Sequence, residues 1–431
     1  MLVPRKSRPS LHVKFLILTL SLALCMASVC SGYSVLSHEA LIDAVWDPAI
    51  KPLLLQRFPN STPDELTTAH SYAYGGAVMQ DMGYYPFGSK LFSDLVHYVR
   101  SGDFIEALLK DSQDINEYAF ALGALAHYAA DNAGHSIAVN HVVPMLYPKL
   151  KMKYGDVVTY DENPTAHLKT EFGFDVLEVA KGRYAPDDYR DHIGFQVSKD
   201  LLGRTFEDTY CLKLDDVFSN FDLAVGTYRR SVSSIIPKMT KVAWQARKDE
   251  IMKSNPGITR QKFLYHLSRS SYRKNWGRTY QSPSFGEKVL AFFIQILPKV
   301  GPLQALAFKM PTAQGETLFM KSFNQAVQDY GQLSRQERAS GEVKLVNDNF
   351  DTGSITRPGE YPLADKTYAD LLDRLAKGHF LAVTPELRST ILGYYNDPNA
   401  PLAMKRVKKQ WAGIQEELNE LKKTAVAEIG P

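Results

Sequence analysis

Apolar residues return every three to four positions along most of this chain, the period of a helix with one buried face. Sustained two-residue alternation bounded by hairpin turns is missing, so the pattern predicts a mostly helical chain with little sheet. A first helix is expected from Ser37 as its cap through His38, Leu41, Ile42 and Val45, ending at Asp47 and Pro48. Thr62, Pro63, Asp64 and Glu65 combine a cap, a first-turn proline and acids at the positive dipole end, a strong helix start. Residues 81–86 break that helix into a loop. A helix over 88–100 then carries His97, with Ser101, Gly102 and Asp103 closing it. Residues 117–141, EYAFALGALAHYAADNAGHSIAVNH, read as one long, mostly buried helix. Further helical periods begin at Thr165 and run over 188–202 and 214–242. Residues 347–362 are loop-rich, and 401–426 form a charged amphipathic helix.

The first 32 of the 431 residues stand apart. Arg5, Lys6, Arg8 and Lys14 precede a short apolar run over 15–27, and Cys30, Ser31 and Gly32 follow it. This is the pattern of a secretory signal peptide cleaved after Gly32, with Ala27 as an alternative exit, so a secreted or extracytoplasmic location is expected. Its removal changes the formal net charge from +3 to −1, because four basic residues and no acid leave with it. Two of the three cysteines also leave, and Cys211 alone cannot form an intramolecular disulfide. The remainder divides into 33–240 and a mostly helical region, 241–431.

Two stretches of the later chain stand out. Between 228 and 278, thirteen Lys or Arg residues face only Asp249 and Glu250. Such a block attracts anionic lipid or nucleic acid, or serves as a solvated helix face. Residues 289–310 are strongly apolar but are interrupted by Pro298, Lys299, Gly301 and Pro302. That suits core packing, or a surface helix dipping into a bilayer, better than a membrane span. His266 and His379 are isolated, and no ligand cluster is expected in this half.

The chemistry gathers earlier. His127, Asp131 and His135 fall at i, i+4 and i+8, drifting only about 80° around a regular helix, so one face presents all three. Imidazoles flanking a carboxylate are ligands that zinc accepts. His38, Asp81, His97, His167 and Glu171 extend the set beyond what one ion coordinates, so several ions are implied if the residues converge. Carboxylates can bridge two such ions.

These motifs resemble the zinc-dependent phospholipase C family, related to the glycosylphosphatidylinositol-specific phospholipase D and to the single-strand nucleases with three zinc ions. The resemblance covers roughly residues 33–177. It rests on the SHEAL opening, an acid-bearing loop running into YP, HY on the next helix, AHYAADNAGHS and AHLKTEFGFDVL. It implies an all-α, multi-helix phospholipase C/nuclease-like domain with a helical C-terminal extension, and up to three zinc ions. One zinc would take Asp81, His97, His127 and Asp131. A second, bridged by Asp131, would take His38 and the backbone amine and carbonyl of a mature N-terminal Tyr33. A third would take His135, His167 and Glu171. The implied activity is phosphodiester hydrolysis by metal-activated water, with Asp81 orienting or deprotonating that water. The implied substrate is phospholipid at a membrane surface, cleaved in the C or D manner. A single-strand nuclease with the same site and a non-catalytic, metal-stabilised binding protein are the alternatives. The spacing AADNAGH departs from the longer, proline-containing Asp-to-His spacing of the nucleases, which makes nucleic acid the weaker partner. His70, Asn140 and His141 lie nearby in sequence, either behind the ligands or as plain packing.

Overall fold

The computed structural model describes residues 34–181, 195–232, 248–249, 251–253, 308–381 and 383–424. The expected signal peptide, Tyr33, His266, and most of the basic block and of the apolar stretch 289–310 lie outside them. Among the described residues helices dominate, in agreement with the all-α expectation. The N-terminal helices are α1 (Val35–Val45), α2 (Lys51–Arg57), α3 (Pro63–Val78), α4 (Lys90–Tyr98), α5 (Ser101–Asp111) and α6 (Ile115–Ala133). There follow α7 (Asn140–Leu146), α8 (Pro148–Tyr154), α9 (Pro164–Ala180), α10 (Lys199–Tyr210), α11 (Leu214–Val217) and α12 (Phe221–Arg230). The later part holds α13 (Ala313–Ser340), α14 (Pro362–Lys377), α15 (Pro385–Tyr394) and α16 (Lys408–Lys423). One two-residue antiparallel ladder, β1 (Asp348–Asn349) with β2 (Ser354–Ile355), pairs Asp348 with Ile355. No helix among the described residues is long and apolar enough to cross a membrane.

Local chemistry explains most boundaries. Thr62 and Glu65 form a reciprocal capping box: the Thr62 N–H donates to Glu65 Oε2 at 2.8 Å, and the Glu65 N–H donates to Thr62 Oγ1 at 3.3 Å. The Asp114 carboxylate accepts from the N–H groups of Asn116 and Glu117 and so starts α6. Helix α1 begins earlier than expected, with Ser34 rather than Ser37 at its cap. Ser37 is buried, and its hydroxyl is spent on Asp175 of α9 at 3.1 Å. Asp47 and Pro48 do not end the helical path. They sit in a wide turn, Trp46–Ile50, that tolerates the N–H missing from proline and leads directly into α2. After α4, Arg100 takes a left-handed backbone (φ 51°), and its guanidinium donates to Asp103 and to the Thr209 carbonyl. Ser101 to Asp103 therefore open α5 instead of closing α4.

The central stretch is not one regular helix. Residues 134–139 form a wide π turn between α6 and α7, so His135 no longer follows Asp131 at regular helical spacing. Helix α6 touches α3 backbone to backbone. A Cβ on Gly76 would lie 1.8 Å from the Phe120 carbonyl oxygen, and one on Gly123 would lie 2.0 Å from that of Ala73. Helix α13 also lies against α6. The Tyr330 hydroxyl donates to the Leu122 carbonyl at 3.3 Å, and that of Tyr118 to Glu337 at 2.8 Å. Phe319 of α13 stacks on Phe174 of α9, with centroids 4.4 Å apart. One apolar core thus runs from α1 through α6 and α9 into α13 and α14.

The α3–α6 contact is rigid because both sides are main chain. Gly123→Ala is expected to destabilise the protein by about 1–3 kcal/mol through overpacking. Gly226→Ala, in a helix with nothing within 4 Å of the new methyl, should be neutral or gain up to about 1 kcal/mol. Urea unfolding of the two variants measures the contrast, and equal effects would show that the crossing is not close-packed.

Candidate metal centre

Five buried side chains from four segments meet beside this crossing. His38 comes from α1, His97 from α4, and His127 and Asp131 from successive turns of α6. Asp81 comes from the short 3-10 turn Met79–Tyr84 that follows α3. Ligand atoms of Asp81, His97, His127 and Asp131 all lie within 4.8 Å of one another. Asp131 spans the group: one oxygen lies 3.4 Å from His38 Nε2, the other 3.2 Å from His127 Nε2 and 3.5 Å from His97 Nε2. Asp81 spans it in the same sense, with one oxygen 3.5 Å from His97 Nε2 and the other 3.7 Å from His38 Nε2. The rings of His38 and His127 stack at 4.4 Å.

Backbone carbonyls set which nitrogen of each ring is available. A carbonyl only accepts, so His97 Nδ1 must donate to Ser93 O at 2.7 Å, and His127 Nδ1 to Ala77 O at 2.9 Å. Both Nε2 atoms then point inward, 3.4 Å from each other, where each can offer a lone pair to a cation. They face the Asp131 carboxylate, to which no described group donates with hydrogen-bond geometry. Acceptors facing acceptors in a dry site repel unless a cation or a proton lies between them. Tetrahedral zinc with bonds of about 2.0–2.1 Å holds its ligand atoms about 3.3 Å apart, close to these spacings. The donor set therefore fits zinc, and the carbonyl contacts are those expected behind metal-bound histidines.

Titration follows the same geometry. Burial and then His127 push His38 down to about 4, against the pull of Asp131 and Asp81. Burial also opposes charge on His97, but the facing Asp131 and Asp81 carboxylates outweigh it and raise the imidazole to about 10. Asp131, despite its burial, is held well below the usual carboxylate range by His127, His97 and His38.

The other predicted ligands form a second, looser group. His167 of α9 donates from Nε2 to the Val158 carbonyl at 2.6 Å, which leaves Nδ1 facing Glu171 Oε1 at 3.7 Å. His135 packs against His167 with ring centroids 5.8 Å apart, and neither of its nitrogens has a hydrogen-bond partner among the described residues. Both Glu171 oxygens are buried and equally unpartnered. Burial and then neighbouring carboxylates raise Glu171 well above its ordinary value; burial and then His135 lower His167 to about 3. These three are adjacent but not gathered as tightly as the first group. Tyr33 lies outside the described residues. Its neighbour Ser34 hydrogen-bonds through its hydroxyl to Asp175, one turn beyond Glu171 on α9.

The C-terminal half holds no ligand cluster of its own among the described residues, but it sends one carboxylate here that its sequence did not mark. Asp351 brings Oδ1 to 3.3 Å from His135 Nδ1. Phe350 packs its ring on His97 and His127, at 5.3 and 5.9 Å. Asn140 supports this loop by donating from Nδ2 to the Asp351 carbonyl at 2.7 Å. His70 instead stacks on Trp46 and faces Asp43, in a cluster of its own. The only sequence signal for the Asp351 loop is a dense run of turn-formers, Asn347 to Gly353, around one phenylalanine.

Against models of known families, residues 37–220 match the one described as zinc dependent phospholipase C. Neither the curated proteins nor the solved structures give a match.

Zinc must displace the His97 proton to bind. At pH 7 binding should release at least one proton, and apparent affinity should rise about tenfold per pH unit for each proton displaced. The direction follows from the raised His97 value, which keeps the metal-free ring charged up to about pH 10. Calorimetric zinc titrations in two buffers of different ionisation enthalpy count the protons. A heat independent of buffer would contradict the arrangement.

Proposed function

Residues 37–220 carry a zinc-dependent phospholipase C family domain, and from that premise we propose that the protein is a secreted phosphodiesterase that hydrolyses phospholipids. The observation that carries this reading is the convergence of Asp81, His97, His127 and Asp131 in one buried group. Those four would hold one ion. His38 would hold a second, together with Asp131 and the amine and carbonyl of Tyr33 once the signal peptide is removed. His135, His167 and Glu171 belong to a third. Zinc bound there supplies positive charge to offset the phosphodiester oxygens and to acidify a water.

The chain's own residues do the rest. Asp131 divides its two oxygens between His38 and the His97–His127 pair, an arrangement suited to a carboxylate shared by two ions. Asp81 is the carboxylate proposed to orient a water and take its proton. The carbonyls of Ser93 and Ala77 hold His97 and His127 in the ligating tautomer. The hydroxyl of Ser34 on Asp175 supports a mature terminus near this centre, because α9 carries Asp175, Glu171 and His167 together. The leader-like residues 1–32 support export.

Zinc-loaded, N-terminally processed protein is expected to hydrolyse phosphatidylcholine in mixed micelles. Released phosphocholine assigns C-type cleavage and released choline D-type. Asp81→Asn should lower kcat by at least about 100-fold, the lower range for loss of a positioned proton acceptor. Preferential cleavage of single-stranded DNA or RNA would reassign the centre to a nuclease, and turnover of neither class would remove the enzymatic reading.

A further inference from the structure

Asp351 lies far outside the stretch matched by the family model, yet its carboxylate enters the second ligand group. We propose that Asp351 is a fourth protein ligand of the ion held by His135, His167 and Glu171, contributed by the C-terminal half. The inference rests on the metal centre read above, and it adds a ligand from a different part of the chain.

The carboxylate is built for this role. Its Oδ2 accepts from two buried tyrosine hydroxyls, Tyr98 of α4 at 2.7 Å and Tyr361 at the start of α14. That fixes the plane of the group and leaves Oδ1 directed at His135 Nδ1, 3.3 Å away. This separation matches two ligands around one tetrahedral zinc, about 3.3 Å for bonds of 2.0–2.1 Å. Carboxylates that ligate metals characteristically have their other oxygen hydrogen-bonded in this way. The main chain is fixed as well: Asp351 donates its N–H to Asn349 Oδ1 at 3.0 Å, and its carbonyl accepts from Asn140. Gly353 has φ 64°, and a Cβ there would lie 2.6 Å from the Asn132 carbonyl oxygen, so the loop is seated on α6 between Asp131 and His135. Around it, His135 and Glu171 present buried atoms with no hydrogen-bond partner among the described residues, the condition a cation relieves.

The test uses the full chain loaded with zinc. In chelator competition, Asp351→Asn is expected to weaken one ion per chain by more than about 100-fold, beyond the 10–100-fold typical of a residue acting behind a ligand. The remaining ions should be unchanged. Affinities for every ion within about tenfold of wild type would overturn the proposal. Because the variant can fail to fold, a second measurement uses the wild type. Anomalous scattering from zinc-loaded crystals should place an ion about 2.0–2.2 Å from Asp351 Oδ1, and an ion bound by His135, His167 and Glu171 without Asp351 would overturn it. Ligation by Asp351 in a protein that hydrolyses no phosphodiester would retain this inference and remove the functional one.

Discussion

Two carboxylates and three imidazoles are packed against each other inside an apolar core, and this is the constraint the rest of the structure answers. Asp81, Asp131, His38 and His127 are wholly buried and His97 nearly so. An ionised carboxylate taken out of water costs several kcal/mol even after relaxation, unless an opposite charge accompanies it. Here the available charge is a proton on His97 or a cation in its place. The protein that folds around it is stabilised by whatever ion it binds, because the unfolded chain offers no preformed group of this kind.

The fold satisfies that constraint by dividing the work among helices. No single element holds the group. Each of α1, α4 and the turn after α3 delivers one ligand, and α6 delivers two. The orienting contacts come from the main chain, which side-chain substitution does not remove. The Ala77 carbonyl reaches His127 only because α3 and α6 cross with glycines at their contact, Gly76 against Phe120 and Gly123 against Ala73. Close helix packing and ring orientation are thus one feature. A methyl that pushes the helices apart also withdraws the acceptor that fixes the histidine tautomer.

Much of this was legible in the residues themselves. Helical periodicity gave the abundance of helix and scarcity of sheet, the Thr62–Glu65 pattern gave the start of α3, and the spacing of His127 and Asp131 put two ligands on one helix face. What spacing alone misjudged was His135. On a regular helix it would sit a single turn beyond Asp131, but the π turn over Gly134–Val139 shifts it toward α9 and Asp351. A π turn depends on tertiary packing rather than on a local residue preference, so period counting cannot detect it. Asp351 was illegible for a related reason. It lies 216 positions after His135 in a turn-rich stretch, and only the seating of Gly353 on the Asn132 carbonyl brings the two together.

That long-range contact bears on what the C-terminal half does. The family match ends at residue 220, yet α13 packs along α6, and the loop after it reaches both ligand groups. The hydroxyl of Tyr330 satisfies the Leu122 carbonyl, and that of Tyr118 binds Glu337, so the contact is polar as well as apolar. Phe350 rests on the two histidines whose Nε2 atoms face each other. A chain cut after α12 would expose the α13-facing side of α6 to water and strip a packed ring from His97 and His127. It would also leave His135 facing no carboxylate from this loop. The later residues are therefore part of the wall of the centre.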